Sequence, residues 1–128
     1  MREWIPFDEG KYRVERAFLI TPDLKAAPLE KAFIEVYAGR QGKRHMKGRS
    51  FIRNILIVHL LDDSDDIDLI LDLGGPYKYL LKNPELEAGK VFSPQIKSTL
   101  QFSPSSPWKQ IPQIEFEKLI SDLRLLTV

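Results

Sequence analysis

Residues 39–61 read GRQGKRHMKGRSFIRNILIVHLL, and how this stretch divides decides the fold. Its first half is polar and basic, with glycines at 39, 42 and 48. Its second half is dense in Ile, Leu and Val. The glycines and charges predict a long loop or hairpin tip over Gly39–Ser50. The β-branched density predicts a strand buried on both faces over Phe51–Leu61.

Upstream, Leu29–Ala38 fits both a helical face (Leu29, Ala32, Phe33, Val36, Tyr37) and strand alternation (Ile34, Val36, Ala38). The hairpin partner that follows favours the strand. Trp4–Phe7 and Tyr12–Ile20 read as an N-terminal hairpin around Asp8-Glu9-Gly10. Thr21-Pro22 suits a helix start, so a helical turn through Ala27 is allowed. Downstream, Asp62–Asp66 is a turn, and Ile67–Leu73 alternates as a strand. Tyr77–Lys82 reads as one helical turn, with a further strand over Ile96–Phe102. Residues 103–113 form an arm rich in proline and serine. The spacing of Phe116, Leu119, Ile120 and Leu123 predicts an amphipathic helix over 114–126.

The 128 residues fit one domain spanning 1–128. The expected class is α+β and β-rich: an antiparallel sheet or an OB-like barrel. A short helix would precede the last barrel strand, and a C-terminal amphipathic helix would dock on the sheet. The order of elements resembles an oligonucleotide-binding barrel. The chain has no cysteine, which excludes disulfides, thiolate metal sites and cysteine nucleophiles. The first residues lack a signal peptide's apolar core, and no apolar run reaches the ~20 residues of a membrane span. A cytoplasmic, soluble protein without membrane attachment is expected.

Net charge is +1, so overall charge points to no partner. The distribution does. Six of 19 basic residues fall within Arg40–Arg53, a stretch without an acid. Arg40, Lys43, Arg44, Lys47, Arg49 and Arg53, with His45, make a local positive field fit to track a phosphate backbone. Tyr37 and Phe51 flank it and are candidates to stack on bases. The expectation is a non-enzymatic protein binding DNA or RNA. The alternative is an interaction module, small subunit or inhibitor that takes an acidic protein or self-associates through opposed charges. A bland reading stands beside both: a solvated hairpin tip, neutralised by the six aspartates of Asp62–Asp72.

Gly39-Arg40-Gln41-Gly42 matches the bare Gly-x-x-Gly clamp of a KH domain, a reading that needs helices on both sides. Asp68 and Asp72 share a strand face, but no Glu-x-Lys follows to complete a nuclease-like set. The calcium-loop positions counted from Asp62 fall on Ile67 and Leu73, which excludes that loop. His59 reads as a core histidine. No nucleophile elbow, phosphate loop or dinucleotide fingerprint is present, so no catalytic residue, metal or cofactor is expected.

Overall fold

The computed structural model describes residues 7–39, 42–63, 66–89 and 97–125. Trp4, Ile5, Pro6, Arg40 and Ile96, named above, lie outside them. Among the described residues are eleven strands and two helices. The strands are β1 (Gly10–Arg13), β2 (Arg16–Ile20), β3 (Lys25–Pro28), β4 (Glu30–Ala38), β5 (Arg44–Arg53), β6 (Asp68–Asp72), β7 (Lys78–Leu81), β8 (Glu85–Ala88), β9 (Lys97–Ser103), β10 (Lys109–Gln110) and β11 (Arg124–Leu125). The helices are α1 (Asn54–Asp63) and α2 (Gln113–Asp122).

The strands form two sheets. The first is antiparallel, in the order β1-β4-β5-β9-β8. The second runs β10-β7-β6-β2-β3-β11 and is mixed, because β11 lies parallel to β3. Inward residues of both sheets, among them Ile34, Val36, Met46, Leu100 and Phe102 against Ala17, Leu19, Leu69, Leu71 and Tyr79, share one apolar cluster. The molecule is therefore β-rich and α+β, as expected. It is a pair of packed sheets, and the OB-like barrel is not formed.

Residues 39–61 divide differently from the expectation. Arg44–Arg53 is a ten-residue strand, not a loop. At the hairpin end the Gly39 N–H donates to the Lys43 carbonyl at 2.7 Å and Gly42 has φ +72°. The polar segment is a strand because, past Arg44, only its outward positions are charged. Met46, Gly48, Ser50 and Ile52 alternate into the core. Gly48 is needed there: a Cβ on it would lie 1.9 Å from the Phe102 ring. Its small size serves internal packing rather than approach to a partner.

The buried strand expected over Phe51–Leu61 ends at Arg53, which pairs with Lys97, the first described residue of β9. The chain then turns into α1. Leu56, Ile57 and Leu60, at helical spacing, join the common core. Strand propensity yields here to tertiary burial. Asn54 at the junction is buried and accepts a hydrogen bond from the Ser98 hydroxyl at 2.5 Å. His59 accordingly belongs to a helix, not a strand.

Other boundaries shift for local reasons. Tyr12–Ile20 is two strands in two sheets. The Val14 N–H bonds to Ala32 in one sheet, and the Glu15 N–H to Asp72 in the other. The helical turns expected after Thr21 and over Tyr77–Lys82 are instead a turn leading to β3 and the strand β7. The strands over Leu29–Ala38, Ile67–Leu73 and Ile96–Phe102 correspond to β4, β6 and β9. The 103–113 arm contains β10 and is anchored by Trp108, which packs edge-on against Phe7 and Tyr79. The C-terminal helix stops at Asp122. Leu123 turns to an extended conformation, and the Arg124 N–H donates to the Leu24 carbonyl.

α2 covers the outer face of the mixed sheet. Phe116 is fully buried there with Ile20, Ala26, Ile70 and Ile111. Beneath it a row of charges crosses three strands, Arg16 opposite Asp72 opposite Lys78. Asp72 accepts from Arg16 Nε at 2.8 Å, Lys78 Nζ at 3.2 Å and the Gly74 N–H at 2.9 Å. Arg16 continues to Glu117 on α2 at 2.8 Å. Both Arg16 and Lys78 sit over the Phe116 ring. Burial opposes charge on Asp72, but the Gly74 N–H, Arg16 and Lys78 outweigh it and hold the carboxyl below its ordinary range. The hydrogen bonds to Glu117 and Asp72 raise the Arg16 guanidinium further.

Candidate functional site

The outer face of the five-stranded sheet has no helix over it among the described residues. Alternation along β5 points His45, Lys47, Arg49, Phe51 and Arg53 to this face. Facing neighbours come from β4: Phe33 opposite Arg49, Glu35 opposite Lys47 and Tyr37 opposite His45. Phe33, Tyr37 and Phe51 are 39, 45 and 41% exposed.

A β-bulge makes this arrangement. Glu30 pairs with Phe51 and Phe33 with Arg49, so β4 takes three steps where β5 takes two. The extra residue carries Lys31 at φ +51°, a left-handed conformation that costs a non-glycine residue about 1–2 kcal/mol. Regular alternation from Glu30 would turn Phe33 and Tyr37 inward. The bulge turns them outward, beside the β5 cations, and sends Ala32, Ile34 and Val36 to the core.

The rings are spread over the face. Phe51 is the diagonal neighbour of Phe33, at roughly 7–8 Å between Cα atoms. Tyr37 stacks on His45 with ring centroids 5.6 Å apart and planes 24° apart. His45 in turn lies against Gly39, where a Cβ would come within 2.2 Å of its ring. Gly39 thus leaves the space that seats the imidazole on Tyr37.

Cations surround the rings. Lys11, Arg13 and Lys97 are exposed on the flanking strands and join Lys47, Arg49 and Arg53. Lys11 approaches Glu35 at 3.9 Å, and Lys97 bonds Glu30 at 3.0 Å. Among the described residues Arg13, Lys47, Arg49 and Arg53 make no ion pair. A shallow depression of about 320 Å³ opens on the β8 side of the face, lined in part by Lys47, Gln101, Ser103, Glu85 and Glu87.

The structure therefore brings together Tyr37, His45, Lys47, Arg49, Phe51 and Arg53. Lys43 is exposed at the hairpin end, beside the Tyr37–His45 stack in sequence. Arg44 departs from the group. It pairs opposite Ala38, donates to the Phe7 carbonyl at 2.6 Å and approaches Asp8 at 3.5 Å. Arg40 lies outside the described residues. Sequence reasoning did not reach Phe33, Lys11, Arg13 and Lys97. Phe33 reaches this face through the bulge at Lys31, which the sequence pattern does not announce.

Asp68 and Asp72 do not neutralise the basic strand. Asp68 approaches Lys82 at 3.3 Å, and Asp72 is held by Arg16 and Lys78 on the opposite side of the molecule. Cations occupy both oxygens of Asp72, so it is no open metal ligand. The Gly-x-x-Gly run joins two strands and lacks the flanking helices of a KH domain. No helix among the described residues is long and apolar enough to cross a membrane. No protein-family model, curated protein sequence or solved structure matches the chain.

Proposed function

We infer that the open face of the five-stranded sheet binds single-stranded nucleic acid, without catalysis. The carrying observation is the joint exposure of Phe33, Tyr37 and Phe51 beside cations that pair with no acid among the described residues. Every base has a π-face, so exposed rings on a sheet hold unpaired bases, while Lys and Arg track the phosphates. A paired duplex hides those π-faces, and its recognition uses elements that enter a groove instead. Arg49, directly opposite Phe33, would meet the phosphate between two stacked bases. The ligand expected is a short, unpaired stretch of RNA or DNA.

The test is fluorescence anisotropy with labelled single- and double-stranded oligonucleotides at several salt concentrations. Single strands are expected to bind more tightly than duplexes of equal length. The logarithm of the affinity should fall linearly with log salt, the slope counting the phosphates engaged. No binding at low salt would refute the reading.

A second reading, a protein-docking surface, draws support from α1. Ile55 and Val58 are exposed one turn apart, following Phe51 along the chain. A partner held mainly there would be insensitive to salt.

A further inference from the structure

The two edges of the five-stranded sheet carry opposite charge. The pairing runs across the whole outer face as Arg13–Phe33–Arg49–Gln101–Glu87. One row along, Lys11–Glu35–Lys47 leads on toward Ser103, which pairs with Glu85. Each row begins with a cation on β1 and ends with a carboxylate on β8. All four charged residues are exposed. Among the described residues β1 and β8 are the two edge strands of this sheet, and an edge strand offers backbone N–H and C=O groups for pairing with a further strand.

We propose that copies of this chain join head to tail, β8 of one beside β1 of the next. Four antiparallel steps separate β1 from β8, so the two strands point the same way. A second copy that keeps its outer face on the same side therefore adds β1 parallel to β8. In that register Lys11 meets Glu85, Tyr12 meets Leu86, and Arg13 meets Glu87. The charged pairs lie outward. Tyr12 and Leu86, both half-buried and packed against the core, meet on the inner side. Alternation supplies the match: two cations two residues apart face two carboxylates two residues apart.

The same charges disfavour two-fold dimers through either edge. Pairing β1 with another β1 opposes Lys11 to Arg13, and pairing β8 with another β8 opposes Glu85 to Glu87. Like charges directly opposite destabilise a strand pair. A head-to-tail joint leaves one free edge of each kind at the ends, so it continues into short oligomers or closes a ring.

The test is sedimentation velocity of the full chain over a wide concentration range at low salt, without nucleic acid. Concentration-dependent species larger than a dimer are expected, dissociating as salt rises. K11E/R13E and E85K/E87K should each weaken self-association by at least about tenfold. An equimolar mixture of the two should restore it, because each reversed edge then meets a complementary one. Circular dichroism melts check that both variants fold. If one does not, E85Q/E87Q with the wild-type chain supplies the comparison, and weakened association with reduced salt dependence is expected. A monomer at every concentration, assembly that stops at a two-fold dimer, or unchanged assembly in the charge variants would overturn the proposal.

Discussion

The two outer faces of the molecule treat aromatic rings and charges in opposite ways. On the mixed sheet, Phe116 of α2 closes over Arg16, Asp72 and Lys78, and every one of those charges has a partner. On the five-stranded sheet, three rings and a set of cations stand in solvent. Burial explains the first face as stability. It explains the second only in part, because Phe33, Tyr37 and Phe51 keep 39, 45 and 41% of their surface in solvent and a left-handed Lys31 costs something to keep Phe33 outward. The closed face belongs to the fold, and the open face is the one proposed above to take a ligand.

The sharpest way to break that contrast is to damage the closed face. Asp72→Asn leaves Lys78 buried without its counter-charge. A loss of about 3–5 kcal/mol is expected in urea unfolding. Acid should act on the same contact. Asp72 has a folded-state pKa below its ordinary 3.8. Its charge therefore stabilises the fold fully above that ordinary value, and the contribution fades as pH falls through the lowered folded value. Wild-type stability should drop below about pH 4, and Asp72→Asn should flatten that part of the profile.

A smaller loss is expected behind the open face. Gly48→Ala forces the Phe102 ring to move and should cost about 1–3 kcal/mol, seen as a lowered melting temperature. This variant separates the inner side of β5, which serves packing, from its outer side. On that outer side, replacing Lys47 and Arg49 with Gln should change stability by less than about 0.5 kcal/mol. The same variant should reduce the salt slope of single-strand binding by about 0.7 for each phosphate it no longer neutralises.

These regions were unequally legible in the sequence. β6 and β9 followed from alternation, β4 from the hairpin partner expected after an ambiguous run, and the C-terminal helix from its 3.6-residue period. The basic segment was found as a charge cluster, but its conformation was misread. Three glycines suggested a loop, whereas Gly39 and Gly48 serve rings of neighbouring strands, a reason visible only after pairing. Phe51–Leu61 has strand composition, yet past Arg53 it becomes a helix whose Leu56, Ile57 and Leu60 fill the common core. Tyr37, His45, Lys47, Arg49 and Phe51 share a face through simple alternation. Phe33 joins them only through the bulge at Lys31, which no period announces.

The most direct measurement is the affinity of Phe33→Ala/Phe51→Ala for a labelled single-stranded oligonucleotide, beside its melting temperature. Stacking on aromatic rings is worth about 1–3 kcal/mol per base. The double variant should therefore bind at least roughly tenfold more weakly while still folding, its melting temperature lowered because both rings are also partly buried. Full affinity in a well-folded double variant would contradict the account, since the exposed rings would then have no part in holding the ligand.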